Sequence, residues 1–157
     1  MSRLPRLLFF ALAVGIYAAD QITKVLVDRS MVLWESRPVI SGFFNLTYVA
    51  NDGIAFGLFQ GNNLLLGCMA AAILAAAIYY ARQLDWAKLE VNILGALITA
   101  GALGNLTDRI RKGYVIDFLD FHLAGHHWPA FNIADSCITC SVAWLLYRSF
   151  FSKKTIA

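Results

Sequence analysis

Three long stretches of the chain, residues 7–19, 64–81 and 91–107, contain no Asp, Glu, Lys or Arg, and a fourth, residues 133–147, contains only Asp135. A transmembrane helix needs about 20 mostly apolar residues, with a range of about 17–25. The second and third stretches fit as they stand. The first reaches that length if the helix continues through Asp20 toward Val27, and the fourth fits if Arg148 extends its head to the lipid headgroups. The pattern predicts four transmembrane helices, at roughly residues 7–27, 64–81, 91–107 and 133–150, in one domain covering residues 1–157. Between the first two helices, residues 39–59 are rich in Phe, Val, Ile, Thr and Tyr, with Asn51-Asp52-Gly53 as a turn. Such residues around an Asp-Gly pair read as a β hairpin, and aromatics favour the membrane–water interface. The predicted fold is a membrane all-α bundle of four transmembrane helices carrying a small extracytoplasmic β-hairpin or sheet cradle.

Composition supports this reading. The chain is 59% apolar and 15% charged, against about 45–50% apolar in soluble domains. The net charge of +3 is ordinary, and no nucleic-acid partner is expected. Arg3 and Arg6 before an apolar run resemble the start of a secretory signal. Tyr17-Ala18-Ala19 lacks the small-x-small cleavage pattern, so the first helix is expected to be retained. Basic residues divide seven to six between the two sides. The first helix often decides orientation, so both termini are expected in the cytoplasm. Cys68 falls in helix 2, and Cys137 and Cys140 fall in helix 4. There they read as small hydrophobes; a redox pair would be expected in a reachable loop.

The first and third connections are separated by two spans and so share one side. The unusual polar residues collect there: Asp20, Lys24, Asn51, Asn105, Asp108, Arg109, Asp117, Asn132 and Asp135. Solvation alone does not explain the asymmetry, since both sides face water. A carboxylate this close to hydrocarbon is expensive and therefore a functional candidate.

Each motif also has a plainer interpretation. Asp20 and Lys24 share a helix face at i,i+4, as an interfacial helix end or as a pair bracing the site from beneath. Asn51 and Gly53 belong to a hairpin turn or to a substrate clamp; Gly permits positive φ. Ala96, Ala100 and Gly104 form a small-residue stripe that allows close helix contact. Asn105 and Arg109 follow it, as packing plus an interfacial Arg or as a polar column aimed at the aspartates. Asn132 with Asp135 three residues on resembles a capping box. Asp117 and Asp120 are both candidate partners for Asp135. His122, His126 and His127 with one of these aspartates form a weak zinc candidate; no metal or cofactor is expected. A small transporter would place its polar residues near mid-membrane. A thiol oxidoreductase would place its cysteines in the outer loops.

Taken together, the motifs resemble the bacterial lipoprotein signal peptidase (signal peptidase II) family. The matching segments are Asp20-Gln-Ile-Thr-Lys24, Asn51-Asp-Gly-Ile-Ala-Phe56, Gly104-Asn-Leu-Thr-Asp-Arg109, Gly113-Tyr-Val-Ile-Asp-Phe118 and Phe131-Asn-Ile-Ala-Asp135. The three histidines and the Cys-x-x-Cys are not part of that pattern. The resemblance implies a multi-pass aspartic endopeptidase of the bacterial inner membrane, with its active site near the outer face. It implies Asp117 and Asp135 as the catalytic pair, in preference to Asp120. Asp20, Lys24, Asn51, Gly53, Asn105, Arg109 and Asn132 are then supporting or substrate-binding residues. The implied substrate is a prolipoprotein carrying diacylglycerol on its lipobox Cys, cut just before that Cys. Membrane lipid is the other expected partner, and a monomer the expected state. Asp135 sits in a first helical turn, where the dipole favours negative charge. Asp117 lies between Ile116 and Phe118, which favour its neutral form. Asp135 is accordingly the expected resting base.

Overall fold

The computed structural model describes residues 4–53 and 59–151. Helix α1 (Leu4–Ser30) leads into strands β1 (Ser36–Ile40) and β2 (Phe44–Asn51). Helices α2 (Asn63–Tyr80) and α3 (Leu89–Lys112) follow, then β3 (Val115–Leu123), β4 (His126–His127) and α4 (Ile133–Phe151). Among the described residues, Arg6–Ser30, Asn63–Gln83 and Leu89–Lys112 are long and apolar enough to cross a membrane. Helix α4 is less apolar, because Asp135 lies in its first turn and Arg148 in its last. The outward faces carry exposed Phe10, Val14, Ile22, Leu64 and Ile78. That is the surface of a protein solvated by lipid.

Helices α1 and α3 outrun their apolar stretches. Helix α3 stays helical through the charged residues 108–112 and ends where Gly113 adopts φ 82, its N–H bonding the Arg109 carbonyl at 3.1 Å. A left-handed residue at this position suits Gly, which has no Cβ to clash. The extra turns lift polar side chains beyond the apolar bundle, toward the sheet.

The sheet has the antiparallel order β1-β2-β3-β4. It differs from the expected cradle in two respects. The β1–β2 hairpin turns at Ser41, Gly42 and Phe43, with Gly42 at φ 75, whereas Asn51 ends β2. The Asp-Gly signal therefore marks a strand exit and not the hairpin; residues 54–58 of the expected cradle lie outside the described residues. Second, the third connection supplies β3, which pairs Val49 with Asp117 and Asn51 with Val115. Asp is depleted in strands, and this pairing bridges a sequence gap of two helices. Local pattern reading assigned no strand there.

Val27 of α1, Met31 just after its end, Tyr48 of β2, and Ile116 and Phe118 of β3 form the core beneath the sheet. Tyr48 also donates from its hydroxyl to Asp28 Oδ1 at 2.6 Å. Burying these side chains seats the sheet on the end of α1, each fully buried large residue contributing about 1.5–3 kcal/mol.

Helix α3 is the centre of the bundle and packs on α1, α2 and α4. Its buried stripe is Ala96, Ala100, Gly101 and Gly104. A Cβ on Gly101 would stand 2.6 Å from the Ala134 carbonyl oxygen, and one on Gly104 would stand 2.5 Å from Asp20 Oδ2. These glycines let three helix backbones converge. Replacing Gly101 with Ala is expected to destabilise the protein by about 1–3 kcal/mol through overpacking. A Cβ on Gly67 would meet Leu106 Cδ1 only at 4.0 Å, so Gly67→Ala is the control expected to leave thermal unfolding in detergent nearly unchanged.

Candidate active site

The polar residues of the helix ends form one connected network. Lys24 is 1% exposed and Asp20 is fully buried. The Lys24 ammonium lies 2.9 Å from Asp20 Oδ2 and 2.9 Å from Asp108 Oδ2, and donates to Asn105 Oδ1 at 3.0 Å. An ammonium has three donors, and here each has an acceptor. Asp20 Oδ1 accepts the Ala134 N–H of the first turn of α4 at 3.0 Å. Asp108 Oδ2 also accepts the Ile116 N–H of β3 at 3.2 Å. Gln21 donates to Asp20 and Asp108 from the side. One buried cation thus ties α1, α3, α4 and β3 together.

Three carboxamides carry this order to the aspartates. In each, an obligatory donor takes the oxygen, which fixes where the nitrogen points. Lys24 takes Asn105 Oδ1, and Asn105 Nδ2 donates to Asp135 Oδ1 at 2.7 Å. The Gly53 N–H takes Asn51 Oδ1 at 2.9 Å, and Asn51 Nδ2 donates to Asp117 Oδ2 at 2.7 Å. The Asp135 N–H takes Asn132 Oδ1 at 2.9 Å, and Asn132 Nδ2 donates to Asp117 Oδ1 at 2.7 Å. The main-chain N–H of Asn132 returns to Asp135 Oδ2 at 3.2 Å. Asn132 and Asp135 therefore form a reciprocal capping box. The plain helix-start reading and the site reading of Asp135 are satisfied by the same atoms.

Asn132 bridges Asp117 and Asp135, bringing a strand and a helix N-terminus to one point. Asp117 is 1% exposed, whereas Asp135 is half-buried and forms the accessible side. Burial, then the nearby Asp135 charge, push the Asp117 carboxyl up to about 7, against its hydrogen bonds from Asn51 and Asn132. Four carboxyl groups (Asp20, Asp108, Asp117 and Asp135) share the network with two cations, Lys24 and Arg109. That excess of negative charge disfavours full ionisation of the network.

Arg109 does not bond either central aspartate. Its Nη2 donates to the Gly53 carbonyl at 2.8 Å and its Nη1 to Asn63 Oδ1 at 3.2 Å. It latches the end of β2 to α2 and α3. Beside it a cavity of about 250 Å³ runs between α2 and α3, lined by Leu64, Gly67, Cys68, Ala71, Leu106 and Ile110 among others.

Asp120 is held elsewhere. Three positions along β3 separate it from Asp117, so the two point to opposite faces of the strand. Asp120 accepts from Thr47 at 2.7 Å and sits 2.7 Å from His127 Nδ1. His122 stacks on His127, and His126 lies on β4. Among the described residues, no group of three His, Cys, Asp or Glu side chains is placed to hold a metal ion. Cys68, Cys137 and Cys140 are free thiols, all on helices.

Asp108, Gln21 and Asn63 complete the network. Asp108 belonged to the polar cluster read from the sequence but was given no role, and a signal for one was available. Ala96, Ala100, Gly104 and Asp108 continue one spacing-of-four stripe, so the buried face that positions Asn105 also presents Asp108. Nothing in local spacing marks Gln21 or Asn63.

Comparison with known proteins gives a consistent result. The family model described as signal peptidase (SPase) II matches residues 12–151. The chain is 47% identical over 143 residues to the lipoprotein signal peptidase of Desulforapulum autotrophicum, covering 88% of each chain. It is 43% identical over 155 residues to that of Francisella tularensis subsp. mediasiatica, covering 96% of each. A bacterial membrane enzyme solved by the in meso method at 2.3 Å superposes with a TM-score of 0.83 at 33% identity, over 95% of this chain and 93% of that one.

Replacing Lys24 with Met would leave Asp20 and Asp108 buried without their cation. Breaking a buried pair from one side costs about 3–5 kcal/mol, and a loss of that size is expected in chemical unfolding in detergent micelles. The double substitution Lys24→Met with Asp20→Asn is expected to recover part of it. Full stability of Lys24→Met would refute the central role of the ammonium.

Proposed function

The chain belongs to the signal peptidase II family of lipoprotein-processing membrane proteases, and on that premise we propose that it is an aspartic endopeptidase with Asp117 and Asp135 as its catalytic pair. The observation that carries this reading is the Asn132 bridge, which joins two carboxyls, one buried and one accessible, through hydrogen bonds of fixed direction.

The substrate is a prolipoprotein whose lipobox Cys bears diacylglycerol, cut on the N-terminal side of that Cys. An apolar signal helix with lipid attached can enter laterally from the bilayer. The apolar cavity beside Arg109 suits acyl chains, so membrane lipid is the second partner. The enzyme acts as a monomer in the bacterial inner membrane. It crosses the bilayer four times, has both termini in the cytoplasm, and keeps the sheet and the site at the outer face.

Catalysis runs as general acid–base hydrolysis. Asp135 is the resting base: the dipole at the start of α4 and the Asn105 and Asn132 donors favour its charge. It takes a proton from a water that attacks the scissile carbonyl carbon. Asp117, neutral at rest, gives its proton to the carbonyl oxygen. The resulting gem-diol collapses as Asp135 passes its proton to the departing amine and Asp117 recovers one from a diol hydroxyl. The C–N bond breaks, and both carboxyls return to their starting states. Asn51 and Asn132 hold Asp117, and Asn105 holds Asp135. Asp20 and Lys24 brace the pair from beneath, and Arg109 fixes Gly53 at the rim.

The test is signal-peptide release by the purified enzyme from lipidated and unlipidated prolipoprotein. Cleavage of the lipidated form alone is expected. Asp117→Asn and Asp135→Asn are each expected to lower kcat by about 10²–10⁴-fold, and either variant cleaving at the wild-type rate would end the proposal. The pH dependence has a definite sign. Asp117 must hold its proton and is pushed up to about 7, so kcat/KM is expected to fall as pH rises through about 7. A flat profile from pH 6 to pH 9 (roughly one unit below to two above that value) would contradict this assignment.

A further inference from the structure

A second hydrogen-bonded chain crosses the sheet, with one side chain from each strand. Ser36 of β1 and Thr47 of β2 share a bond of 2.9 Å between hydroxyls. The Thr47 hydroxyl donates to Asp120 Oδ2 of β3 at 2.7 Å, and Asp120 Oδ1 lies 2.7 Å from His127 Nδ1 of β4. Asp120 is 6% exposed. Burial raises its pKa, but the hydrogen bonds from His127 and Thr47 outweigh that and hold it below the usual carboxylate range. An ionised carboxylate only accepts. The proton therefore sits on His127 Nδ1, Thr47 must donate to Asp120, and Ser36 must donate to Thr47. Every direction in the chain is set by the carboxylate.

None of these groups reaches the catalytic pair, since Asp120 and Asp117 occupy opposite faces of β3. The chain bears on the site through the backbone. After β3 the polypeptide turns at Ala124 and Gly125, at φ 50 and φ 81, and comes back as β4. It runs along β3 to Phe131, whose carbonyl accepts from the Phe118 and Leu119 N–H groups at 3.1 and 2.8 Å. The next residue is Asn132, the bridge. Asp117 and Asn132 thus stand at the two ends of one hairpin, and the Asp120–His127 contact clamps that hairpin midway. The His122 and His127 rings stack at 4.7 Å across the same pair of strands.

We propose that Asp120 and His127 are positioning residues for the cleavage reaction, acting through the hairpin they clamp on the contact between Asp117 and Asn132, with Thr47 and Ser36 anchoring the clamp to the rest of the sheet. The inference rests on the aspartic peptidase reading above. A displacement of about 1 Å at a reacting group can cost up to about 10²-fold in rate, so loss of the clamp reaches the chemistry without any contact to substrate.

The experiment compares His127→Leu and Thr47→Val with His127→Asn and Thr47→Ser in the full-length enzyme, using lipidated prolipoprotein. The Asn nitrogen stands in for the imidazole Nδ1–H, and Ser retains the hydroxyl. His127 is about half exposed, so its substitutions are compatible with folding, and Thr47 gives an independent second point. His127→Leu and Thr47→Val are expected to lower kcat about tenfold with KM unchanged. They are also expected to move the alkaline limb of the rate profile, because the clamp sets both the burial of Asp117 and its hydrogen bond from Asn132. His127→Asn and Thr47→Ser are expected to restore both kcat and the position of the limb. Wild-type kcat and limb in folded His127→Leu and Thr47→Val would overturn the inference. So would equal losses in the two conservative variants, which would mark the effect as packing alone. A wild-type enzyme that cleaves no lipidated prolipoprotein would overturn the peptidase reading itself. Active wild type with unaltered variants would overturn only the clamp.

Discussion

The arrangement of this protein depends on one ammonium group buried among acceptors. Lys24 has almost no contact with solvent, and two carboxylates and a carboxamide take its three protons. Such a charge is tolerable only because it is fully paired. The pairing is what joins the helices. Asp20 also holds the first turn of α4, and Asp108 also holds the start of β3. In lipid, apolar burial gives little drive for helix association, so close packing and polar contacts must supply it. Gly101 and Gly104 provide the closeness and Lys24 provides the polar tie.

From this cation, order passes outward through amides whose direction is not free. Asn51, Asn105 and Asn132 each have their oxygen committed to a donor, so each nitrogen is presented to an aspartate. Elsewhere an Asn can flip at small cost. Here a flip would set N–H against N–H at one end and oxygen against carboxylate at the other. The network therefore fixes the geometry of Asp117 and Asp135 through hydrogen bonds of set direction. One residue serves both the helix cap and the contact between the aspartates, since Asn132 caps α4 through its Oδ1 and reaches Asp117 through its Nδ2.

The sheet adds a second support of a different kind. Its core against α1 is apolar, built from Val27, Met31, Tyr48, Ile116 and Phe118. That contact fixes the height of β3 over the helix ends. The polar network then needs to fix only the local direction of Asp117. Burial on one face of β3 and hydrogen bonding on the other divide the work, as the alternation of a strand allows.

Much of this was legible in the sequence. Charge-free runs marked the helices to within a few residues, since a stretch without charge that long is incompatible with water. The clustering of Asp20, Lys24, Asn105, Arg109, Asn132 and Asp135 at helix ends on one side followed from counting spans. Other features were not legible. Strand β3 was hidden because its pairing with β2 crosses two helices and its aspartates argue against a strand. The hairpin turn was misassigned because an Asp-Gly pair serves a strand exit as readily as a tight turn. Asp120 and Asp117 could not be separated by spacing; the strand's alternation sent them to opposite faces. The sequence by itself determined which segments are long and apolar and which polar residues at their ends need a partner, because transfer free energy is a property of composition along the chain. Only the tertiary structure decided which partner each polar group has, because a hydrogen bond depends on direction and on the meeting of residues far apart in sequence.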